Sequence, residues 1–322
     1  MKALVTGATG FVGSHLAEAL KRHGHEVTAL ARAPRKAEAL TSQGARIVPG
    51  DLHDMAALDR AAAGQDIIYH VAGVVAARDE TEFLRANRDG TINLIAAAER
   101  GGSPRFVLVS SLAAAGPALP GTPLTGRETP HPVTAYGRSK LAAEEAVRGS
   151  SLDWSIVRPP IVYGPRDREV LKIFRLARLR LAPVFGDGSQ ELSAVHATDL
   201  AEALVAVGQS TAAVGGTYVA GHPEVFTSAE LGQSVGRAMG GSVTTIRIPP
   251  PVARALLWLT EGGARLTRQV TILTADKANE FFQPAWTGDP APLTRDTGWR
   301  ATYDLQRGLA DTYEWYRQAG WL

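Results

Sequence analysis

The sequence predicts an α/β fold in which a doubly wound parallel sheet is followed by a smaller mixed α/β lobe. In the first half of the 322-residue chain, short apolar segments alternate with stretches of helical periodicity. That alternation is typical of parallel βαβ units. A glycine-rich turn follows the first apolar segment directly. After about residue 164 the alternation gives way to longer helices that carry five of the six tryptophans, which indicates a second lobe.

The predicted elements follow a regular order in the first half and then become sparser. Each strand is a short apolar run, as expected for strands buried on both faces of a parallel sheet. Each helix carries apolar residues about one turn apart, as Leu16 and Leu20 are. The predicted strands cover residues 3–6, 26–31, 46–49, 67–71, 106–110, 155–158 and 218–220, and the predicted helices cover residues 13–23, 36–43, 85–100 and 169–181.

Composition excludes several kinds of site. The chain has no cysteine, which excludes disulfide scaffolds, cysteine-ligated metals and thiolate catalysis. Its formal net charge of +2 gives no general attraction to nucleic acid. The eight histidines show no ligand spacing, so no metal is expected. No apolar run reaches the roughly 18 residues of a membrane span, and we therefore expect a cytoplasmic protein without membrane insertion.

The glycine-rich turn is the sharpest local motif. In this position Gly7 permits a tight turn, Gly10 lets the backbone approach a pyrophosphate, and Gly13 lets the helix pack closely on the strand. The amides that open the helix would bind the phosphates. We expect residues 1–164 to form a dinucleotide-binding domain, rejoined by strands near 193–197 and 216–220, and residues 165–322 to bind mainly substrate. The residues of the turn predicted to hold the dinucleotide are Gly7, Thr9, Gly10, Phe11, Val12 and Gly13.

The end of the second predicted strand indicates which dinucleotide is bound. An NAD site needs an acidic residue there for the ribose 2′-hydroxyl, but the sequence places Ala31 and Arg32 at this point. A guanidinium suits a 2′-phosphate through charge-assisted hydrogen bonds. The sequence therefore predicts a preference for NADP(H), with NAD(H) as a possible second cofactor.

A tyrosine, a lysine and a serine form the candidate catalytic group. Tyr136 and Lys140 are four residues apart, so on a helix they share one face. A phenol has a pKa near 10, and a neighbouring ammonium would lower it, which allows proton transfer to a substrate oxygen. Ser111 follows the predicted strand 106–110, at the edge where parallel strands face a ligand, and its hydroxyl could bind the same oxygen.

At this level of detail the sequence resembles the extended short-chain dehydrogenase/reductase family of the NAD-dependent epimerase/dehydratase superfamily. The resemblance extends over nearly the whole chain. The motifs that carry it are TGATGFVG at residues 6–13, GDL at 50–52, HVAG at 70–73, NRDGT at 87–91, VSSLAAAG at 109–116, YGRSK at 136–140, RPPIVYGP at 158–165 and VHATDLA at 195–201.

The resemblance implies a role for each matching residue. Tyr136 would be the proton donor or acceptor, Ser111 would orient the reacting oxygen, and Ser110 is the less favoured serine. Lys140 would hold the nicotinamide ribose, and Asn87 would maintain the hydrogen-bond network of the site. The family also implies a homodimer formed through the Tyr136 helix. The further cofactor-binding positions that it implies are Asp51 and Leu52 beside the adenine, Val71, Ala72 and Gly73 along the cofactor, and Pro159, Ile161 and Val162 beside the nicotinamide.

The branch of the family is predicted from a missing arginine. Nucleotide-sugar epimerases and dehydratases usually carry an Arg soon after the Gly-Asp-Gly turn, whereas this sequence has Glu191 there, and a carboxylate repels a diphosphate. The sequence is more similar to dihydroflavonol reductases and 3β-hydroxysteroid dehydrogenases. We therefore expect hydride transfer between nicotinamide and a carbonyl or secondary alcohol of a small, largely apolar substrate. The alternatives are a nucleotide-sugar epimerase/dehydratase and a catalytically silent NADP(H)-binding regulator.

The second lobe offers weaker signals, and for each we expect the structural interpretation. The apolar run 252–259 is expected to be a buried helix rather than a membrane contact, and His196 is expected to be structural. Four aromatic residues are expected in a core rather than a pocket, and four basic residues on a solvated face rather than around an anionic substrate tail. These residues are Trp258, Phe281, Phe282 and Trp286 for the core, and Arg168, Lys172, Arg175 and Arg178 for the solvated face.

Overall fold

The computed structural model describes residues 1–266, 270–272 and 274–322, with the side chains at positions 34, 36, 265 and 266 outside that description. Its centre is a seven-stranded parallel sheet. The strands of this sheet, in spatial order, are β3 (Arg46–Pro49), β2 (Glu26–Ala31), β1 (Lys2–Thr6), β4 (Ile67–His70), β5 (Arg105–Val109), β6 (Trp154–Arg158) and β11 (Thr217–Val219). The order winds outward in both directions from the β1–β4 pair, which confirms the predicted Rossmann-type fold.

Fourteen α-helices are found in the described residues. They are α1 (Phe11–Arg22), α2 (Glu38–Ser42), α3 (Met55–Ala62), α4 (Glu80–Leu84), α5 (Gly90–Arg100), α6 (Leu112–Ala115), α7 (Ala135–Arg148), α8 (Val170–Ala177), α9 (Ala197–Gln209), α10 (Ser228–Ala238), α11 (Pro250–Leu266), α12 (Ala278–Phe281), α13 (Ala291–Thr297) and α14 (Leu305–Gln318). Helices α1 and α9 cover one face of the central sheet, and α3, α5 and α7 cover the other.

Alternate residues of each central strand supply two separate cores, which is why these strands read as unbroken apolar runs. Val5, Tyr69 and Val107 pack with α1 and α9. Their neighbours Leu4, Ile68 and Phe106 pack with α3, α5 and α7 on the opposite face. The buried apolar area on both faces fixes the register of the strands, since a shift by one residue would exchange the two sets.

The predicted helix over residues 85–100 is part of a longer helical segment with a distinct turn inside it. Helices α4 and α5 are joined by a π-helical turn, Arg85–Asp89, in which the Gly90 amide donates to the Arg85 carbonyl five residues earlier. This turn contains Asn87, which is buried. Single π-turns inside α-helices are frequent at functional sites.

The C-terminal part has its own core and smaller sheets. Strand β7 (Ile161–Tyr163) pairs with β10 (Ala194–His196), and β8 (Leu181–Phe185) pairs with β13 (Thr244–Ile248). The third sheet has the order β12-β9-β14, with β9 at Glu191–Leu192, β12 at Phe226–Thr227 and β14 at Ala285–Trp286. The core of this part lies among α8, α10, α14 and these strands. The division of the chain into two domains stays a prediction.

Three details differ from the sequence-based expectations. The strand near 193–197 pairs with β7 and does not join the central sheet, because the free edge of β6 is already occupied by β11. The helix predicted to reach residue 181 ends at Ala177, since Arg180 adopts a left-handed φ of 60° before β8 begins. The helix over 252–259 is not buried: Trp258 is 68% exposed and Leu259 is 60% exposed.

Candidate active site

The residues singled out from the sequence lie at the carboxyl ends of the central strands. The glycine-rich turn follows β1, Arg32 follows β2, residues 51–52 follow β3, residues 71–73 follow β4, Ser111 follows β5, and Pro159 follows β6. Because these strands are parallel neighbours, their carboxyl ends share one edge of the sheet. That edge passes through the β1–β4 switch point, where open α/β sheets bind ligands.

The glycine-rich turn has the shape that a dinucleotide requires. Gly7 has a φ of 73°, and a Cβ on it would lie 2.7 Å from the Ala72 amide nitrogen, so the turn packs directly on the chain after β4. A Cβ on Gly13 would lie 2.1 Å from the Gly7 carbonyl oxygen. At Gly10 a Cβ would meet only that carbonyl, at 3.2 Å. The backbone at Gly10 is therefore open to close approach by a phosphate, and the residues present fit the cofactor.

Helix α1 opens towards this turn with its backbone amides available. Gly10 is the N-cap, and no side chain of the described residues caps the helix by a hydrogen bond. The first turn contains no acidic residue, so nothing there competes with an anion for the amides. Thr9 and Gly10 are exposed, and Phe11 and Val12 are partly exposed. The sequence-predicted loop therefore presents free donors where a pyrophosphate would lie.

The residues predicted to flank the adenine and its ribose lie at the ends of β2 and β3. Arg32 is exposed and forms no ion pair with any described residue. Asp51 is exposed and accepts a hydrogen bond from the His53 amide at 2.8 Å, which fixes the turn. Leu52 is half-buried, and a Cβ on Gly90 would lie 2.8 Å from its Cδ1. The guanidinium of Arg32 is therefore free to bind an added anion.

Tyr136 and Ser111 lie close together near the middle of the carboxyl-terminal edge of the central sheet. Tyr136 lies in the first turn of α7, and its side chain lies beside Ser111, the N-cap of the short helix α6, which acts to lower the pKa of the phenol. Lys140 lies one turn further along α7, and its Nζ donates to the Val109 carbonyl at 2.8 Å. A Cβ on Gly73 would lie 3.6 Å from that Nζ, so the ammonium lies beside the segment that follows β4.

Burial sets the protonation states of this group. Burial raises the pKa of Tyr136 to about 12; the nearby Ser111 side chain acts in the opposite direction, and the Glu280 carboxylate adds to the rise. Burial lowers the pKa of Lys140 to about 8, against the effect of Glu144. The lowering of the Tyr136 pKa expected from the sequence is thus absent in the chain alone, because burial outweighs it and Lys140 is itself bound to a carbonyl.

The neighbouring serine has a different partner. Ser110 is buried and donates to the Glu144 carboxylate at 2.5 Å. The same carboxylate receives two hydrogen bonds from the buried Arg158, at 2.8 and 2.6 Å, and one from Arg148 at 2.9 Å. Ser110 is therefore committed to a buried ion-pair network beneath the sheet edge, whereas Ser111 faces Tyr136.

Asn87 connects three segments around the site. Its Oδ1 accepts from the Val74 amide at 2.9 Å, and its Nδ2 donates to the Val74 carbonyl at 3.1 Å and to Ser139 Oγ at 2.9 Å. Ser139 lies on α7 between Tyr136 and Lys140. The Asn87 side chain thus fixes the chain after β4 against the helix that carries the candidate catalytic pair.

A buried chain of hydrogen bonds, which the sequence reasoning missed, runs from β1 to this asparagine. Thr91 donates to the Asn87 carbonyl at 2.6 Å, and His70 Nε2 lies 2.9 Å from Thr91 Oγ1. On the other side, His70 Nδ1 lies 2.7 Å from Thr6 Oγ1. Because Thr91 uses its proton on the carbonyl, His70 must donate from Nε2 and accept at Nδ1. Burial and then Lys140 lower the pKa of His70 to about 3, which keeps this tautomer neutral.

The opposite wall of the cleft comes from a distant part of the sequence and was also missed. The Asp276 carboxylate accepts from the Ala135 amide at 2.9 Å, and Glu280 accepts from Thr134, the N-cap of α7, at 2.8 Å. Lys277 pairs with Glu280, and its Nζ lies 5.7 Å from the Tyr136 ring centroid. No local motif marks these residues, because only the tertiary fold brings them to α7.

The remaining predicted positions line the same cleft or lie next to it. The backbone of Pro159 accepts from the Leu112 amide at 2.9 Å, which holds the end of β6 against α6. Ile161 and Val162 are half-buried in β7, and Val71 and Ala72 are half-buried beside the glycine turn. His196 is buried, stacks on Tyr303 at 4.1 Å and lies in the C-terminal part.

The aromatic residues of the C-terminal part occupy three different environments. Phe281 and Phe282 pack on Phe185, with ring centroids 4.8 and 6.3 Å apart. Trp286 packs against the C-terminal core and donates to the Glu280 carbonyl at 2.9 Å, whereas Trp258 is largely exposed. The four basic residues of the α8 region lie on an exposed face, as the sequence predicts.

Comparison with known proteins agrees with this arrangement. Residues 3–221 match the NAD dependent epimerase/dehydratase family. Ceramide reductase of Caulobacter vibrioides is 35% identical across 99% of this chain and 95% of that protein. The 2-alkyl-3-oxoalkanoate reductase of Stenotrophomonas maltophilia is 29% identical across 96% of this chain and 97% of that protein. The structure of MoeE5 in complex with UDP-glucuronic acid and NAD is similar with a TM-score of 0.79 and 25% identity, and the match covers 99% of this chain and 100% of that one.

Proposed function

Because the chain belongs to the NAD dependent epimerase/dehydratase family, we propose that it reduces the ketone of a largely apolar, lipid-like substrate with NADPH. Its relatives make it an NAD(P)-dependent enzyme of the extended short-chain dehydrogenase/reductase type. The observation that carries the finer proposal is the placement of Ser111 beside Tyr136, with Lys140 one turn further along α7, at the sheet edge where the glycine turn also lies.

The chain's own residues would handle the substrate oxygen and its proton, while the nicotinamide supplies a hydride when bound. Tyr136 keeps its proton at neutral pH because burial raises its pKa, so the phenol can donate that proton to an oxygen that gains negative charge. Ser111 would orient the same oxygen by a hydrogen bond. Lys140, held by the Val109 carbonyl, would stabilise the phenolate that remains.

A protonated phenol is the form that can serve in reduction, since reduction of a ketone consumes a proton at the oxygen. The two relatives described above are both reductases, one named for ceramide and one for an oxoalkanoate with a second alkyl chain, whereas a further relative, 29% identical, is a UDP-glucose 4-epimerase. Phe185, Phe281 and Phe282 form an aromatic cluster next to the wall that faces Tyr136. Alkyl chains would pack against such a cluster. We therefore propose a ketone flanked by alkyl chains as the substrate.

A nucleotide-sugar reaction is the second candidate, supported by the UDP-glucuronic acid in the MoeE5 structure. In this chain the region after the Gly186–Gly188 turn carries Glu191, whose carboxylate accepts from the Gly121 amide at 2.9 Å. No arginine occupies the segment 186–193, and a diphosphate next to an uncompensated carboxylate is disfavoured. The reductase relatives also argue against the third hypothesis, a catalytically silent regulator.

The test is turnover with two substrate classes. We expect NADPH oxidation with 2-alkyl-3-oxoalkanoates or with a 3-keto analogue of ceramide in detergent, and no change in UDP-glucose or UDP-glucuronic acid. Epimerisation of a UDP-sugar without net NADPH oxidation would contradict the proposal. Binding of NADPH can be measured by the fluorescence of the reduced cofactor. Binding without turnover of any ketone would favour the silent regulator.

Arg32 provides the test of the cofactor preference. If its free guanidinium binds a 2′-phosphate, Arg32→Ala should reduce the ratio of kcat/KM for NADPH over NADH by about tenfold or more. Arg300→Ala is a matched control, because Arg300 is an exposed arginine that follows α13 and is not among the predicted cofactor-binding residues. An Arg32→Ala variant that keeps the wild-type ratio would show that the 2′-phosphate is bound elsewhere or not at all.

We also propose that the protein is cytoplasmic, that it forms a homodimer, and that it belongs to the dihydroflavonol reductase-like branch of the family. Helix α5 exposes Ile92 to solvent (46%), next to α7 with its half-buried Leu141. Pairing of α5 and α7 with the same helices of a second copy would cover these side chains. Light scattering of the purified protein should then give twice the mass of the chain, and a monomer at micromolar concentration would contradict this.

A further inference from the structure

Helix α11 carries an apolar stripe that the described residues leave uncovered. Val252, Leu256 and Leu259 lie three and four residues apart and share one helix face, and they are 50%, 48% and 60% exposed. Their neighbour Trp258 is 68% exposed, whereas Leu257 is buried and attaches the helix to the molecule. Contiguous exposed apolar surface of this kind marks a site of interaction with another protein, a membrane or a ligand.

Further exposed apolar residues lie on the two-stranded sheet whose strand β13 directly precedes α11 in the chain. Pro183 of β8 and Ile246 of β13 are register partners, so they lie side by side on one face. Both are exposed, and Ile246 is followed within four residues by the start of α11. Leu179, two residues before β8, is 67% exposed. Helix α10 packs against the same pair of strands, and it leaves this row of side chains in solvent.

Basic residues outnumber acidic residues around this surface, although Lys172 pairs with Glu169, Asp187 lies near Arg247, and α11 itself contains Glu261. The chain as a whole is balanced, with 34 basic and 32 acidic residues. The two segments joined by the β8–β13 pairing, residues 170–186 and 237–260, contain no aspartate or glutamate. Their basic residues are Lys172, Arg175, Arg178, Arg180, Arg237, Arg247 and Arg254. A surface that combines exposed Trp and Leu with an excess of basic side chains complements the anionic headgroups and the acyl boundary of a bilayer.

The same helix contacts the wall of the cleft. The Arg254 guanidinium lies 5.1 Å from the Phe282 ring centroid, and Phe282 packs with Phe281 on Phe185. Five residues before Phe282, the Lys277 Nζ lies over the Tyr136 ring. The exposed helix and the candidate catalytic tyrosine are therefore separated only by residues 277–282.

We propose that α11 and the exposed face of the β8–β13 sheet dock on an anionic lipid bilayer and present the cleft to it. The chain would lie on the surface, since no helix of the described residues is long and apolar enough to cross a membrane. The inference deepens the proposed function and rests on it for its purpose, because a ketone flanked by long alkyl chains resides in a bilayer. Binding to the bilayer can nevertheless be measured without any substrate.

The experiment is co-sedimentation of the purified chain with vesicles. We expect binding to vesicles of phosphatidylcholine and phosphatidylglycerol in equal parts, weaker binding to pure phosphatidylcholine, and loss of binding in high salt. L256D/L259D should weaken the partition coefficient by about tenfold or more, because it places two charges on the apolar stripe. Val214→Asp is the control, since Val214 is an exposed apolar residue that lies before β11, outside α11 and the β8–β13 sheet.

Trp258 gives a second measurement that does not depend on a disruptive variant. Vesicles with brominated acyl chains should quench the fluorescence of the wild type more than that of Trp258→Phe, because Trp258 would lie at the acyl boundary. Equal quenching would overturn the proposal, as would equal binding of L256D/L259D and wild type. A change in oligomeric state of L256D/L259D, with unchanged vesicle binding, would assign the stripe to a second copy instead.

The two proposals can fail separately. Turnover of a short-chain, water-soluble 3-oxoalkanoate without vesicles tests the proposed function alone. If that activity is present and vesicle binding is absent, the docking surface is wrong and the reductase stands. If vesicles bind and no ketone is reduced, the surface stands and the substrate class is wrong.

Discussion

The two sides of the Tyr136 cleft are built in different ways. The cofactor side consists of backbone packed on backbone, as at Gly7 and Ala72, and of a buried hydrogen-bond chain from Thr6 to Asn87. The wall that carries Lys277 and Glu280 consists of charged side chains from a remote segment, next to an exposed helix. The first side leaves little freedom for substitution, while the second can change its side chains without disturbing the sheet. Chemistry would thus be fixed on one side and specificity varied on the other.

The largest effect should come from the residue that both sides share. Tyr136→Phe removes the phenolic proton while keeping the ring that lies 6.0 Å from Phe83. We expect kcat to fall by about 10³- to 10⁴-fold, with the Kd for NADPH changed less than about twofold. Steady-state turnover and a fluorescence titration measure the two quantities. Turnover close to the wild-type rate would rule out Tyr136 as the proton donor.

The two adjacent serines should differ in their effect on catalysis. Ser111→Ala should lower kcat by about 10²-fold and lower the unfolding free energy by about 1 kcal/mol, because Ser111 Oγ caps α6. Ser110→Ala, its matched control, should keep kcat but lower the unfolding free energy by about 1–2 kcal/mol, because buried Glu144 loses a donor. Urea denaturation and turnover of both variants provide the test. If Ser110→Ala had the larger effect on kcat, the assignment of the two serines would be reversed.

The buried histidine on the cofactor side predicts a dependence of stability on pH. The unfolded chain protonates His70 below about pH 6.5, whereas burial lowers the pKa in the fold to about 3. Stability is therefore lost as the pH falls from about 6.5 towards 3, by about 2 kcal/mol per such group at pH 5.

Denaturation at pH 7 and pH 5 measures this loss for the wild type and for two histidine variants. His70→Asn should lose less stability between these pH values than the wild type does. His53→Asn should behave like the wild type, because His53 is exposed. If His70→Asn loses as much unfolding free energy between pH 7 and pH 5 as the wild type does, His70 is not the titrating group.

The smallest effect is expected from the opposite wall. Lys277→Met removes the ammonium that faces the Tyr136 ring and should raise KM for the ketone by about five- to tenfold, with kcat and NADPH affinity unchanged. Lys172→Met is the control, because Lys172 is exposed on α8. A fall in kcat with unchanged KM would show that Lys277 acts in the chemical step, and the two sides of the cleft would then not divide chemistry from specificity.

The sequence was informative wherever a signal is local. The apolar runs predict all seven strands of the central sheet, and the i, i+4 spacing places Tyr136 and Lys140 on one face of α7. The glycine spacing predicts a turn whose close contacts the structure contains. These signals depend on neighbouring residues of the chain and on the period of one element, so they can be recognised without the fold.

What the sequence could not supply depends on long-range packing. The wall residues Asp276 and Glu280 reach α7 across about 140 positions of the chain. The pairing of β10 with β7 depends on β11 occupying the edge of β6. The exposure of the apolar helix α11 depends on which neighbours the fold provides, and its composition alone suggests burial. The protonation of Tyr136 likewise follows from its burial, which no spacing encodes.

The π-helical turn at Arg85–Asp89 makes the length of this helical segment as important as its composition. One residue more than an α-helix would use is inserted there, so α4 and α5 are out of phase by one position. Deleting a single residue between 85 and 89 would restore a regular helix and rotate α4 by about 100° relative to α5. Asn87 would then lose its hydrogen bonds to Val74 and to Ser139 at the same time. Gaps in this stretch should therefore be tolerated far less than substitutions, and a homologue shortened here would have to rebuild the network from other side chains.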